Sequence, residues 1–122
     1  MDRAIRRAFA DEWAAHYNFE AAAWASRKHR ALFAAKSAMA LRRARRLAAA
    51  GGTPPLSFGR LFEATTDKPF PLGEGLLAAA LDAERTSVRT YRRLARSRKH
   101  GRLGRALLAE ARREVRRLAN LV

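Results

Sequence analysis

Cysteine is absent from the 122 residues, which removes disulfides, zinc ribbons and thiol nucleophiles together. Long apolar runs are absent too: nothing approaches the ~18–20 residues of a membrane span, and the N-terminus lacks a signal-peptide pattern. Acidic residues are scarce, 11 Asp and Glu against 26 Lys and Arg, for a formal net charge of +15. Proline is confined to positions 54, 55, 69 and 71, and five of the seven glycines fall between Gly51 and Gly75. Strand signals are missing throughout. These absences leave a basic, helical domain, expected to be soluble and cytoplasmic, without a membrane partner. At 48% hydrophobic, the chain has enough apolar material for a core, which argues against disorder.

What is present is Ala, Leu, Arg and Glu, the strongest helix formers, in two proline-free arms. The pattern predicts an all-α fold, a single four-helix-bundle domain over 1–122. Its helices are expected at about 2–26, 30–50, 75–98 and 102–121, with a long Pro/Gly-rich connection over 51–74. The first arm carries a stripe of Ile5, Phe9, Trp13, Phe19, Ala23 and Trp24. The stripe fades at Ser26-Arg27-Lys28-His29-Arg30, where a turn is expected, and resumes at Leu32-Phe33, Ala40, Ala44 and Leu47. The third helix repeats Leu77, Leu81, Val88, Tyr91 and Ala95. His100-Gly101 and Gly104 break the pattern before Leu103, Leu107, Ala111, Val115, Leu118 and Val122. Phe58, Leu61, Phe62 and Phe70 equip the connection to cover the bundle side. One long link between the second and third helices is ferritin-like connectivity.

The charge is organised. Arg85, Arg89, Arg92 and Arg96 share one face of the third helix, flanked by Arg93 and Lys99. The fourth helix repeats the device with Arg102, Arg105, Arg112 and Arg116, beside Arg113 and Arg117, and the second adds Arg42, Arg43, Arg45 and Arg46. Arg and Ala are favoured together by a GC-rich genome, but codon bias exchanges Lys for Arg and does not create a cationic surplus. Single-signed stripes over two or three turns ask for a polyanion, and the planar guanidinium fork suits phosphate oxygens. The fourth helix exposes almost nothing except Arg and Ala, so contacts to the RNA or DNA backbone are expected rather than base readout. The bland reading is a solvated surface. Trp13, Tyr17, Phe19 and Trp24 read most simply as core, with stacking on an unpaired base as the sharper reading.

Two carboxylates fall on apolar stripes: Glu12 between Phe9 and Trp13, with His16 one turn on, and Glu84 between Leu81 and Val88. Each needs a partner, a metal or a raised pKa. Ala8-Phe9-Ala10-Asp11-Glu12 with Ala14, Ala15 and Tyr17 resembles the first helix of rubrerythrin-like proteins of the ferritin-like superfamily. Leu81-Asp82-Ala83-Glu84 with Tyr91 and Leu94-Ala95 resembles their third. That resemblance implies Glu12 and Glu84 as di-iron ligands, with His16 as a further metal candidate. The family's Glu-x-x-His motifs are missing, however: the corresponding stretches read Lys36-Ser37-Ala38-Met39 and Arg112-Arg113-Glu114-Val115. Pairing of the inner carboxylates with Arg or a Tyr hydroxyl is the simpler expectation, with no cofactor and no catalytic residue.

Size, charge and helicity are also similar to the small subunits of CRISPR effector (Cascade-type) complexes, which implies backbone contacts inside a nucleoprotein assembly and other protein subunits as partners. Two other readings stand beside it. One is a ferritin-like bundle, metal-binding or a degenerate scaffold; the other is an interaction module for an acidic protein.

Overall fold

The computed structural model of the chain describes residues 3–51, 70, 73 and 75–122. Among these residues the fold is all-α, with four helices: α1 (Arg3–Ala25), α2 (Arg30–Gly51), α3 (Leu76–Ala95) and α4 (Gly101–Ala119). The helix number and class agree with the sequence expectation, and the boundaries fall within three residues of it. The chain divides into two compact units, Met1–Leu76 and Leu77–Val122.

In the first unit the turn forms where the apolar stripe fades. Ser26 closes α1 with its N–H donating to Ala22 O at 3.0 Å, and its hydroxyl accepts the His29 N–H at 3.2 Å. Arg30 reaches back to cap α1, donating from Nε to Ala23 O at 3.0 Å and from Nη2 to Trp24 O at 3.4 Å. These bonds satisfy carbonyls that a helix end leaves without intrahelical partners. The two helices then run back to back. Glu12 lies opposite Arg43, His16 opposite Ser37 and Phe19 opposite Phe33, an antiparallel register. Phe19 stacks on Phe33 at 6.3 Å between ring centroids and takes the edge of Phe70 at 5.2 Å. Phe70 is thus the one residue of the expected cover that can be located; Phe58, Leu61 and Phe62 lie outside the described residues.

In the second unit α3 buries Ala80, Leu81, Glu84, Tyr91 and Leu94, while Leu77 and Val88 are only half-buried. The stripe is therefore centred one residue away from the expected one. The break expected at His100-Gly101 falls between α3 and α4, and Gly101 and Gly104 lie in the first turn of α4. A Cβ on Gly104 would meet the backbone of Leu94 C at 2.6 Å and Ala95 Cα at 2.8 Å, so α4 passes α3 at a distance only glycine permits.

The two units share a plan. The tetrapeptide Ser-Arg-Lys-His occurs at 26–29 and again at 97–100, and in both the serine hydroxyl accepts the histidine N–H at 3.2 Å. Each histidine carbonyl then accepts the N–H four residues on, from Phe33 at 3.0 Å and from Gly104 at 2.9 Å. Counted from these turns, α2 and α4 share six of their seven buried positions: Phe33 and Gly104, Lys36 and Leu107, Ser37 and Leu108, Ala40 and Ala111, Arg43 and Glu114, Leu47 and Leu118. One helical register, used twice, decides which arginines face solvent.

Candidate nucleic-acid interface

The shared register turns Arg42, Arg45 and Arg46 outward on α2, and it puts Arg113, Arg116 and Arg117 at the matching positions of α4. Arg102, Arg105 and Arg112 complete the outer face of α4. Every exposed residue of α2 and of α4 is Arg or Ala. The alanines matter as much as the arginines. A methyl group between guanidinium groups obstructs nothing, so a polyanion can approach the helix closely along its length. No exposed Asn, Gln, Ser or Thr is available on either helix to read a base edge.

On α3, Arg85, Arg89, Arg92 and Arg93 are exposed, with Arg96, Arg98 and Lys99 following in the turn. Arg85 lies 3.7 Å from Asp82 across one turn, a solvated pair, and Arg89 donates from Nη2 to the Thr86 hydroxyl at 3.1 Å. Acids do little to neutralise this unit. Residues 75–122 hold thirteen Arg and Lys against four Asp and Glu, and of those four Glu84 and Glu114 are buried, away from the arginines' face. Like charges three and four residues apart cost a few tenths of a kcal/mol per pair in the free protein, a cost that a bound polyanion removes.

Arg43 departs from the expected set. It is buried, with Nη1 3.4 Å from Glu12 Oε1, so it belongs to the interior and not to the charged face. Its helical phase explains this: it shares the inner face with Ala40 and Leu47, whereas Arg42, Arg45 and Arg46 fall outside. The same pair decides what Glu12 does. A carboxylate beside a guanidinium matches the expected Arg pairing and does not suit a metal ligand. His16 is likewise engaged. Its Nδ1–H donates to Ser37 O at 3.0 Å and to Ser37 Oγ at 2.8 Å, while the Ser37 hydroxyl donates back to His16 O at 3.1 Å. Among the described residues, no three His, Cys, Asp or Glu side chains gather where a metal ion could be held. Among the described residues, the surroundings of Glu12 and His16 do not fit the di-iron centre that the rubrerythrin resemblance implies.

The aromatic cluster of α1 divides. Phe19 is core, Trp13 and Tyr17 are half-buried, but Trp24 is 78% exposed, which overturns its assignment to the core. Helical spacing alone does not reveal this, because Trp24 lies at the C-terminal end of α1, adjoining the turn. The sequence pattern also passes over Arg27, Lys28 and Arg98 as contact residues, all of which are exposed in the two turns. The signal that finds them is the repeated tetrapeptide itself.

No family model, no curated protein and no solved structure matches this chain. No helix among the described residues is long and apolar enough to cross a membrane.

Proposed function

We propose that this chain binds nucleic acid through the phosphate backbone, without reading base sequence, as a small non-catalytic component of a nucleoprotein assembly. The observation that carries the reading is the composition of the solvent faces of α2 and α4, arginine and alanine alone, at matching positions of a repeated register. Arginine forks take phosphate oxygens bidentately, and a row of them neutralises a strand while recognising no particular base. The burial of Glu84 and Glu114 supports the same reading, since it leaves the outer faces of α3 and α4 strongly cationic. An assembly of the CRISPR effector type is one home that size, charge and helicity suit. The ferritin-like alternative is weakened by Arg43 beside Glu12.

The test is a titration with labelled single-stranded and double-stranded nucleic acid at low and moderate salt. Neutralising about six phosphates predicts a log–log salt slope of about −4 to −5. Absence of binding at low salt, together with tight binding to an acidic polypeptide, would replace this reading with that of a protein-interaction module.

A further inference from the structure

Trp24 is the most exposed large hydrophobic residue among those described, and it adjoins one of the two Ser-Arg-Lys-His turns. Large exposed indoles are uncommon on a free protein surface and concentrate where a partner binds. The second turn supplies an internal control. It has the same tetrapeptide and the same serine-to-histidine bond, yet two residues before its serine it carries Ala95 where the first turn carries Trp24. The turn therefore forms without an indole, and Trp24 is not there to build it.

Resting on the backbone-binding reading above, we propose that the first turn is a single-strand contact, in which the Trp24 indole stacks on an unpaired base and Arg27 and Lys28 take the flanking phosphates. Three observations converge on a nucleic-acid strand as occupant. Arg27 and Lys28 are exposed within four residues of the indole. No Asp or Glu occurs between Glu20 and Glu63, so the sequence that follows the indole carries cations alone, with Glu20 one helical turn before it. The backbone under Trp24 is held, because the Arg30 guanidinium donates to both Ala23 O and Trp24 O. A fixed helix end presents the ring with little ordering left to be done on binding, and base stacking on an indole is indifferent to base identity. The second turn, with Arg98 and Lys99 but Ala95, contacts phosphates alone and does not distinguish a strand from a duplex.

The experiment follows tryptophan emission of the full chain on titration with an oligothymidylate, a duplex of equal length and poly-glutamate, beside Trp24→Phe, Trp24→Ala and Arg27→Ala/Lys28→Ala variants. Oligothymidylate should quench the wild-type emission, and Trp24→Phe should lose most of that quench. Trp24→Ala should weaken oligothymidylate binding by about 5- to 100-fold with the salt slope unchanged and duplex affinity little altered. Arg27→Ala/Lys28→Ala should instead reduce the slope by about 1.4, the share of two single-strand phosphates. Saturable oligonucleotide binding with unchanged emission and unchanged Trp24→Ala affinity overturns this inference and leaves backbone binding standing. Quenching by poly-glutamate and not by oligothymidylate also overturns it, assigning Trp24 to an acidic protein. No binding of either nucleic acid overturns both readings.

Discussion

Glu12 and Arg43 face each other inside the first helical pair, carboxylate Oε1 and guanidinium Nη1 3.4 Å apart, with side chains 3% and 1% exposed. The pair links α1 to α2 and removes Arg43 from the solvent face that its neighbours Arg42, Arg45 and Arg46 form. Burying two charges is expensive, and taking away one partner forfeits the compensation that the other provides. Arg43→Leu should therefore destabilise the chain by about 3–5 kcal/mol, whereas Glu12→Leu/Arg43→Leu should restore most of that loss. Urea melts of the four chains of this double-mutant cycle check it; a coupling energy near zero contradicts the pairing.

Ser37 and His16 make the second polar link between the same helices. Ser37→Ala removes a hydroxyl that accepts from His16 Nδ1 at 2.8 Å and donates to His16 O at 3.1 Å, two hydrogen bonds between α1 and α2. The expected loss is about 1–2 kcal/mol in thermal or chemical unfolding, with nucleic-acid affinity unaltered in the folded protein. A Ser37→Ala chain of wild-type stability would show that the link contributes nothing.

Gly104 and Gly73 should respond oppositely to a methyl group. At Gly104 the new Cβ would press on the backbone of Leu94 and Ala95, atoms that cannot rotate away, and Gly104→Ala should cost about 1–3 kcal/mol. At Gly73 a Cβ meets nothing within 4 Å, and Gly73→Ala should stay within about 0.5 kcal/mol of the parent. Equal effects at the two sites would mean that α4 does not approach α3 so closely.

Residue spacing alone makes much of the fold legible. Confinement of proline to 54–71 leaves two uninterrupted helical arms, and the break at Ser26–Arg30 shows as a lapse in apolar spacing. Spacing falls short where one residue type serves two environments. In Arg42-Arg43-Ala44-Arg45-Arg46 four arginines look alike, and only phase against Ala40 and Leu47 marks Arg43 as the inward one. Trp24 has core chemistry but lies at a helix end, where burial depends on tertiary reach that the helical period does not encode. Gly101 and Gly104 carry a breaker's signature, yet their use is close approach between helices, a property of two segments rather than one. The doubled Ser-Arg-Lys-His is readable as a repeat, and its meaning comes from the matching burial of α2 and α4.

Engagement of phosphates by the exposed arginine rows, as proposed, makes binding steeply salt-dependent. Arg112, Arg113 and Arg116 are exposed on α4, so Arg112→Glu/Arg113→Glu/Arg116→Glu should leave the helical far-UV signal intact. The measurement is the slope of log K against log salt for this variant and for the parent, on one labelled strand. Loss of three phosphate contacts should reduce the slope's magnitude by about 2–3 and weaken binding at every salt concentration. A parent and a variant with the same slope and the same affinity would contradict the account.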